Sequence, residues 1–453
     1  MFRSVGILII CDTAAAMASQ MLGMFLRLGV LPDLSDFSSL YGLQLMIYTI
    51  VALLSGYFCE LYTLDRYVAV SELAARIAVS IMVAFLALSA CYFAVPEMAL
   101  GRGVLALSLL IFGVIQYFNH RICQYLRNVP YFAQKIMILG AGPLAQVIER
   151  TIPLSPYNYV FAGFLNPGAG LPTVPADHIV GEIDQMEEIL TREKIDTLII
   201  SLTEKRGALP VKNLLNCKLQ GIEILDSPSF YEKLTGKLLV EDIQPSWFIY
   251  STGFRITTFS RAWKRAMDIL CSSIGILLVL PLLPLIALLI KLSSPGPVLF
   301  RQERVGEGEK EFTLIKFRTM CNNAEKETGP VWASQDDPRI TRLGTLLRKT
   351  RIDEIPQLFN VLKGDMSFIG PRPERREFVE RLAEQIPYYG KRHFIKPGVT
   401  GWAQVKYPYG ATDEDALEKL RYDLYYIKNF SITLDLMIIL ETVKVVLFGR
   451  GGR

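Results

Sequence analysis

The chain has 453 residues, of which 51% are hydrophobic and 20% are charged, and its formal net charge is +4. This length allows two or three domains, and the apolar composition is typical of a membrane protein. The modest net charge gives no support for a nucleic-acid partner. Because the seven cysteines include no CxxC pair and the three histidines are scattered, neither a disulfide framework nor a histidine-based metal site is predicted.

The first 128 residues predict a bundle of four transmembrane helices, because each of four apolar segments approaches the roughly 20 residues that cross a bilayer core. The segments lie at 5–28, 43–64, 73–95 and 103–118. The loop at 32–36 contains no basic residue, whereas Arg66 follows the second segment and Arg121 and Arg127 follow the fourth. The positive-inside rule therefore predicts that both ends of this block lie in the cytoplasm.

Residues 129–250 alternate apolar strand patterns with helical stretches and predict a Rossmann-like α/β domain. The first strand runs into a glycine loop, Gly140-x-Gly142-x-x-Ala145, which in dinucleotide folds places a pyrophosphate at a helix N-terminus. The acidic residue expected on the second strand is replaced by Asn166. We therefore predict a degenerate nucleotide-binding fold with a regulatory or assembly role.

The third domain, residues 251–453, begins with a broken apolar segment. The run 269–290 is long enough to cross a bilayer, but Pro281 and Pro284 lie in its middle and basic residues flank it on both sides. Proline removes a helix hydrogen bond and bends the helix, and a crossing would leave cations on the outer face. We predict a re-entrant helix at 264–292 within a mixed, mainly helical monotopic domain.

Two adjacent carboxylates, Asp353 and Glu354, are the strongest candidates for chemistry. Arg348 and Arg351 precede them and Arg372 follows, and arginine suits the bidentate recognition of a pyrophosphate. An Asp-Glu pair taken alone usually marks a solvated helix face. The two groups could instead divide the work, one as nucleophile and the other as metal ligand or base.

A series of motifs then follows in order along 261–449. They are Arg265-x-x-Asp268, Phe300-x-Gln302-x-Arg304-x-Gly306, Lys316-Phe-Arg-Thr-Met320, Asp353-Glu354-x-Pro-Gln-Leu, Lys363-Gly-Asp-Met-Ser367, Gly370-Pro-Arg-Pro373, Lys396-Pro-Gly-Val-Thr-Gly-Trp-Ala-Gln-Val405 and Asp423-x-Tyr-Tyr-x-x-Asn429. In these motifs the segment resembles the bacterial sugar transferase family, the monotopic phosphoglycosyl transferases. The front end resembles that of the large, polytopic exopolysaccharide-type members.

The resemblance implies a two-step transfer from a UDP-sugar to a polyprenyl phosphate such as undecaprenyl phosphate, the first membrane step of exopolysaccharide synthesis. Asp353 would attack the sugar-bearing phosphate, release UMP and form an aspartyl phosphosugar that the polyprenyl phosphate then attacks. Mg²⁺ would be held by Asp353 and Glu354. The implied phosphate contacts are Lys316, Arg318, Arg348, Arg372 and Arg304. Asp268 would belong to the re-entrant helix.

The same resemblance places the protein in the bacterial inner membrane as a multi-pass chain whose catalytic domain faces the cytoplasm. Two departures from the family pattern are clear: Leu280 stands where members commonly have Ser, and Lys406-Tyr-Pro-Tyr-Gly410 replaces Asn-Gly-Arg. The second departure removes an arginine often linked to nucleotide binding, so the sugar is not assigned. Every motif follows Phe254, so the front end is predicted to be dispensable for chemistry.

Two other functions stay open at this point. A membrane-anchored nucleotide-sugar dehydratase or epimerase needs Tyr-x-x-x-Lys after the glycine loop, but here Tyr131 and Lys135 precede it. A non-catalytic membrane scaffold for polysaccharide assembly is the second alternative, and the intact Asp353-Glu354 and Gly-Pro-Arg-Pro motifs argue against it. The sequence does not fix the sugar, the polymer or the oligomeric state, so a homo-oligomer also stays open.

Overall fold

The structure is a computed structural model that describes residues 2–29, 40–59, 61–62, 70–128, 133–154, 159–166, 173–202, 210–243, 245–321, 324, 337–407, 410 and 412–447. The loop at 32–36, Arg66, Tyr131 and the Pro408-Tyr409 dipeptide of the predicted motifs lie outside these ranges. The chain forms two compact units, Met1–Ser227 and Pro228–Arg453. Each unit is described by itself.

Four long apolar helices begin the first unit: α1 (Phe2–Leu28), α2 (Leu40–Phe58), α3 (Val70–Ala94) and α4 (Arg102–Asn128). Each contains a stretch that is long and apolar enough to cross a membrane. Helix α1 packs against α4 and α2, and α3 packs against α2 and α4. The prediction of four apolar helices is thus confirmed, and the fourth is longer than its apolar segment suggested.

A buried carboxylate joins these helices. Asp12 of α1 is fully buried, and its Oδ2 accepts hydrogen bonds from Tyr62 Oη and Gln116 Nε2, both at 3.0 Å. His120 Nε2 lies 3.1 Å from the same oxygen, and Asn119 Nδ2 donates to Oδ1 at 3.2 Å. An ionisable group among apolar helices is costly unless it is fully hydrogen-bonded, so this cluster fixes α1 against α4.

A parallel five-stranded sheet completes the first unit, in the order β3-β2-β1-β4-β5. The elements in chain order are β1 (Gln134–Leu139), α5 (Pro143–Thr151), β2 (Tyr159–Asn166), β3 (Ile179–Glu182), α6 (Met186–Arg192), β4 (Thr197–Ile200), α7 (Val211–Leu219) and β5 (Glu223–Asp226). This order is that of a Rossmann-like domain, as predicted. Strand β3 was missed because it is a short edge strand that lacks a continuous apolar run.

The glycine loop connects β1 to α5. Gly140 has φ +128°, and a Cβ there would lie 2.4 Å from the carbonyl oxygen of Ser201. Gly142 is the N-cap of α5, and Ala145 is fully buried beneath the turn. The close approach of the loop to the end of β4 explains why Gly140 must lack a side chain. A bound nucleotide is not needed to account for any of these three residues.

The second unit is mainly helical, with two small sheets. Its elements are α8 (Ser227–Thr235), α9 (Pro245–Tyr250), α10 (Thr258–Val279), α11 (Leu283–Ser293), β6 (Leu299–Val305), β7 (Glu311–Phe317), α12 (Arg342–Lys349), α13 (Gln357–Lys363), β8 (Ser367–Ile369), α14 (Arg376–Gln385), β9 (Gly398–Thr400), α15 (Trp402–Lys406), α16 (Asp413–Lys428) and α17 (Ile432–Leu447). Strands β6 and β7 form an antiparallel hairpin, and β8 pairs with β9 in parallel.

Residues 228–250 belong to this second unit, whereas the sequence suggested a boundary at 250. Leu238, Val240 and Ile243 join its largest hydrophobic core, together with buried residues of α14 and α16. Trp402 Nε1 donates to the carbonyl oxygen of Gly236 at 2.8 Å. The predicted boundary at 250 therefore marks the approach to an apolar helix and not the edge of the folded unit.

The apolar helix at the start of this unit is broken. Helix α10 passes through a 3₁₀ turn at Leu280–Leu282 into α11, with Pro281 inside the turn and Pro284 in the first turn of α11. Its outward side chains are strongly exposed, for example Leu277 at 70% and Leu292 at 74%. The break is thus at the predicted prolines. By length and composition alone, Thr258–Ser293 could also cross a membrane.

Candidate active site

Asp353 and Glu354 lie in an irregular connection between α12 and α13. Arg351 adopts a left-handed conformation with φ +59°, and a 3₁₀ turn, Ile352–Glu354, follows it. Asp353 is 7% exposed and Glu354 is 6% exposed. This burial rules out the solvated-face interpretation of the pair, because ionisable groups are buried at a considerable cost unless they are paired or functional.

Three cations from separate parts of the chain surround Glu354. Its Oε1 accepts a hydrogen bond from Arg372 Nη2 at 2.8 Å and lies 3.6 Å from Lys316 Nζ and 3.7 Å from Arg351 Nη1. Burial by itself would raise the pKa of Glu354, but the positive charges of Arg372, Lys316 and Arg351 outweigh it and hold the pKa well below its usual range. Glu354 is therefore ionised at neutral pH.

Asp353 is in the opposite electrostatic situation. Burial and the neighbouring charge of Glu354 raise its pKa to about 6, against the lowering effect of Lys316, Arg348 and Arg372. Within the described part of the chain, Asp353 Oδ1 is buried without a hydrogen-bond partner. The carboxylate is thus largely ionised near neutral pH and keeps an oxygen available for a reacting atom or a metal ion.

Lys316 lies on β7, paired across the hairpin with Phe300. Burial and the charge of Arg372 lower the pKa of Lys316 to about 8, although Glu354 and Asp353 act in the other direction. Its ammonium group is therefore close to titrating under physiological conditions. A lysine whose pKa lies this close to neutral loses its positive charge as the pH rises, and with that charge it loses its attraction for phosphate.

The other predicted phosphate contacts fall into two groups. Arg348 Nε donates to Thr319 Oγ1 at 2.9 Å, and its charge acts on Asp353. Arg318 donates to the carbonyl oxygens of Pro295 at 2.9 Å and Ser294 at 2.6 Å. Arg304 donates to the carbonyl oxygen of Pro373 at 3.2 Å. Lys316, Arg348 and Arg372 thus act on the carboxylate pair, whereas Arg318 and Arg304 hold backbone segments around it.

The Gly-Pro-Arg-Pro motif places Arg372 through a close approach of two backbones. Gly370 follows β8 and Gly398 begins β9, and a Cβ added to Gly398 would lie 2.0 Å from the amide nitrogen of Gly370. A Cβ on Gly370 would lie 2.3 Å from the carbonyl oxygen of Lys396. Only glycine permits this spacing, and it fixes the start of the loop that carries Arg372.

The Arg265-x-x-Asp268 motif fastens α10 to the site. Asp268 Oδ1 accepts hydrogen bonds from Ser367 Oγ and from the amide of Phe368, both at 2.8 Å. Arg265 donates to the carbonyl oxygens of Val361 and Leu362, both at 2.6 Å, at the C-terminal end of α13. Asp268, predicted only as part of the broken helix, therefore connects that helix to β8.

Sequence reasoning missed a second layer of buried charge. Arg392 is 5% exposed, and its Nη2 donates to the carbonyl oxygen of Arg372 at 3.0 Å. The same nitrogen lies 2.8 Å from Asp423 Oδ2 on α16. Asp423 belongs to a motif of unassigned role and Arg392 to none of the motifs, so only the fold shows that they meet behind the active site.

The residues present fit the predicted Mg²⁺. In the described ranges no group of three His, Cys, Asp or Glu residues comes together as a metal cage. Magnesium, however, is commonly bound by one or two carboxylates together with substrate phosphates. The unpartnered Oδ1 of Asp353 next to the ionised Glu354 offers such ligands.

Comparisons with known proteins show which family the chain is similar to. The family described as "Bacterial sugar transferase" matches residues 259–449. The chain is 46% identical over 240 residues, or 53% of its length and 56% of the relative's, to the UDP-N-acetylgalactosamine-undecaprenyl-phosphate N-acetylgalactosaminephosphotransferase of Aeromonas hydrophila. It is 38% identical over 337 residues, 71% of its length and 60% of the relative's, to the undecaprenyl-phosphate glucose phosphotransferase of Komagataeibacter xylinus.

The similarity extends in front of the site-bearing unit. The chain is 33% identical over 326 residues, 70% of its length and 69% of the relative's, to the UDP-glucose:undecaprenyl-phosphate glucose-1-phosphate transferase of Escherichia coli (strain K12). The matches to the Aeromonas and Komagataeibacter proteins span 56% and 60% of those relatives. All three names contain undecaprenyl phosphate; one also names N-acetylgalactosamine, and the other two name glucose.

Proposed function

Because the chain belongs to the bacterial sugar transferase family, we propose that it transfers a sugar 1-phosphate from a UDP-sugar to undecaprenyl phosphate. The products are UMP and undecaprenyl diphosphate sugar. The observation that carries this proposal is the buried Asp353, whose Oδ1 has no partner in the described structure, beside a Glu354 held ionised by cations. A non-catalytic scaffold would have no need to keep this costly arrangement.

In the first step, the carboxylate of Asp353 attacks the phosphorus that bears the sugar. A new bond forms between its oxygen and phosphorus, the bond to the bridging oxygen breaks, and UMP leaves with that electron pair. Asp353 is suited to this role because burial keeps it weakly solvated while its pKa of about 6 leaves it ionised at neutral pH. The product on the protein is an aspartyl phosphosugar.

In the second step, a phosphate oxygen of undecaprenyl phosphate attacks the same phosphorus, and Asp353 leaves as a carboxylate. Lys316 and Arg372 lie on the Glu354 side of the pair and offset the negative charge that spreads over the transferring phosphoryl oxygens. Glu354 in turn holds these two cations in place. Mg²⁺ bound by Asp353 and Glu354 would neutralise charge on the diphosphate.

The membrane arrangement is part of the proposal. The four N-terminal helices span the inner membrane, and the broken helix α10–α11 enters and leaves by the cytoplasmic face. Its support is that both parts of the broken segment are attached to one unit: Asp268 to β8 at one end, and the Ser294 and Pro295 carbonyls to Arg318 at the other. The exposed apolar side chains of α10 and α11, between these two attachments, face lipid, where an undecaprenyl chain lies. The α/β domain keeps a regulatory or assembly role.

The test is UMP release by the full chain in detergent with Mg²⁺, undecaprenyl phosphate and either UDP-glucose or UDP-N-acetylgalactosamine. We expect Asp353→Asn to reduce release to below about a tenth of wild type, because an amide cannot accept the phosphoryl group. Wild type without undecaprenyl phosphate should give a burst of UMP equal to the enzyme present, and the variant should give none. The surface change Asp413→Asn is the matched control.

A variant Asp353→Asn that keeps the burst would remove Asp353 from the nucleophile role. Absence of UMP release by wild type with a full panel of UDP-sugars would instead contradict the activity itself. The two donors also address the specificity, since the relatives' names divide between glucose and N-acetylgalactosamine.

A further inference from the structure

A buried ion pair lies behind the active site and takes no part in the proposed chemistry. Arg392 is 5% exposed and Asp423 is 2% exposed, and Arg392 Nη2 lies 2.8 Å from Asp423 Oδ2. Arg392 Nη1 also donates to Tyr389 Oη at 2.7 Å. Burying two charges is expensive, and replacing such a pair with apolar side chains is often neutral or stabilising, so its presence calls for another reason.

The contacts of Arg392 lead directly to the active site. Its Nη2 donates to the carbonyl oxygen of Arg372 at 3.0 Å. Arg372 Nη2 in turn donates to Glu354 Oε1 at 2.8 Å. Three hydrogen-bonded or ionic links therefore join Asp423 on α16 to the carboxylate beside Asp353. The carbonyl oxygens of the neighbouring Pro371 and Pro373 accept from the Gly398 amide at 2.9 Å and from Arg304 at 3.2 Å, and Arg392 is the contact at Arg372 itself.

We propose that Arg392 and Asp423 are positioning residues that hold Arg372 against Glu354. The planar guanidinium of Arg392 donates to Tyr389 and to the Arg372 carbonyl from a fixed geometry, and it forms an ion pair with Asp423 at the same time. Asp423 fixes the orientation of that guanidinium and thereby the path of the Arg372 backbone. The effect on rate rests on the proposed transferase function, whereas the effect on Arg372 does not.

The first test follows Arg372 without using activity. Full-length wild type, Asp423→Asn and Leu420→Ala are treated with a small arginine-directed dicarbonyl reagent, and modification of Arg372 is measured by peptide mass spectrometry. The Arg372 side chain is 31% exposed, so a small reagent reaches it. We expect Asp423→Asn to speed its modification about fivefold, because a guanidinium released from Glu354 is more available. Leu420→Ala, a core change on the same helix, should leave the rate unchanged.

The second test measures kcat per active site, with the UMP burst used to count competent enzyme. Asp423→Asn should lower kcat about tenfold, since small displacements of charged groups in an active site are costly. In an Arg372→Gln background the same change should have no further effect. Leu420→Ala should lower the burst but leave kcat per active site unaltered, which separates misfolding from mispositioning.

The results decide the inference in either case. Equal Arg372 modification in wild type and Asp423→Asn, or a kcat loss that multiplies with that of Arg372→Gln, would overturn it. If wild type releases no UMP, the transferase function fails, and the modification experiment still decides whether Asp423 positions Arg372. Arg392→Lys provides a second variant should Asp423→Asn fold poorly; we expect faster Arg372 modification there too, because an ammonium lacks the planar fork.

Discussion

At the residue scale, two adjacent carboxylates acquire different properties from their neighbours. Burial favours the neutral form of both, but the cations gather on Glu354, so its pKa falls while that of Asp353 rises to about 6. Environments that push the pKa values of a pair apart are typical of catalytic sites. The sequence located the pair, but the assignment of opposite roles depends on which oxygen each distant cation reaches.

A pH profile tests these roles. We expect kcat/KM to fall below about pH 6, where Asp353 becomes protonated and loses its nucleophilic form, and above about pH 8, where Lys316 loses the charge that offsets the phosphate. Lys316→Arg should keep its charge at high pH, so the alkaline limb should disappear while the acid limb stays, even if the maximum rate is lower. The measurement is kcat/KM for the UDP-sugar, obtained from UMP release at saturating undecaprenyl phosphate.

The surface change Lys310→Arg is the matched control for this experiment, because Lys310 is exposed in the same hairpin. It should leave both limbs in place. An alkaline limb that persists in Lys316→Arg would show that a different group titrates near pH 8 and that Lys316 acts in another way.

The predicted cations show how far motif reasoning extends at this scale. Lys316 and Arg372 indeed lie beside Glu354, but Arg318 and Arg304 bind backbone carbonyls. A motif gives the residue type and its position along the chain. Whether a guanidinium points at a substrate or at a carbonyl depends on the path of distant segments, which no local pattern contains.

At the element scale, the structural features that sequence reasoning found have local causes. The break between α10 and α11 follows from proline chemistry, and the four long helices follow from continuous apolar runs. The short strands β3, β8 and β9 were not predicted, because each is held by pairing with a neighbour and lacks a pattern of its own. The hydrogen bond between Asp12 of α1 and Gln116 of α4 likewise has no local pattern that could predict it.

The path of the broken helix can be tested by cysteine labelling in a cysteine-free background. Arg261→Cys lies in the first turn of α10 and Lys310→Cys lies after α11, and both positions are exposed. We expect both to resist a membrane-impermeant thiol reagent in intact cells and to react once the cytoplasmic face is opened, because the basic flanks favour that side. Glu97→Cys, between α3 and α4, is the control expected to react from outside.

Replacing Pro281 and Pro284 with Leu extends the same experiment. A continuous helix should then favour spanning, so Lys310→Cys should become reactive in intact cells and UMP release should be lost. Labelling of Lys310→Cys in intact cells of the parent protein would mean that the segment crosses the membrane, and the re-entrant arrangement would be wrong.

At the scale of the whole molecule, the limits of the catalytic unit differ from those that composition suggested. The motifs all follow Phe254, but the folded unit begins at Pro228. Lys428 of α16 is buried and pairs with Glu232, and Asn429 Nδ2 donates to the same carboxylate at 2.7 Å. A motif search cannot find this segment, since its role is to complete a core and not to carry chemistry.

This difference leads to a comparison of two truncated chains. A chain that starts at Phe254 loses Leu238, Val240 and Ile243 from the core, each worth about 1.5–3 kcal/mol when fully buried. It also leaves Lys428 buried without Glu232, a loss of about 3–5 kcal/mol when a buried pair is broken. Together these losses are comparable with the whole stability of a typical domain.

We therefore expect the chain starting at Pro228 to fold in detergent and to release UMP. The chain starting at Phe254 should aggregate, or it should unfold well below the melting temperature of the chain starting at Pro228. Thermal unfolding and UMP release, measured side by side, check both expectations. Glu232→Gln in the full chain isolates the charge contribution: it should lower the melting temperature without changing kcat per active site, because Glu232 lies in the core and not at the carboxylate pair. Equal stability of the two truncated chains would show that 228–253 is dispensable, as the motifs alone suggested. A well-folded but inactive chain from Pro228 would instead mean that the first unit is needed for catalysis.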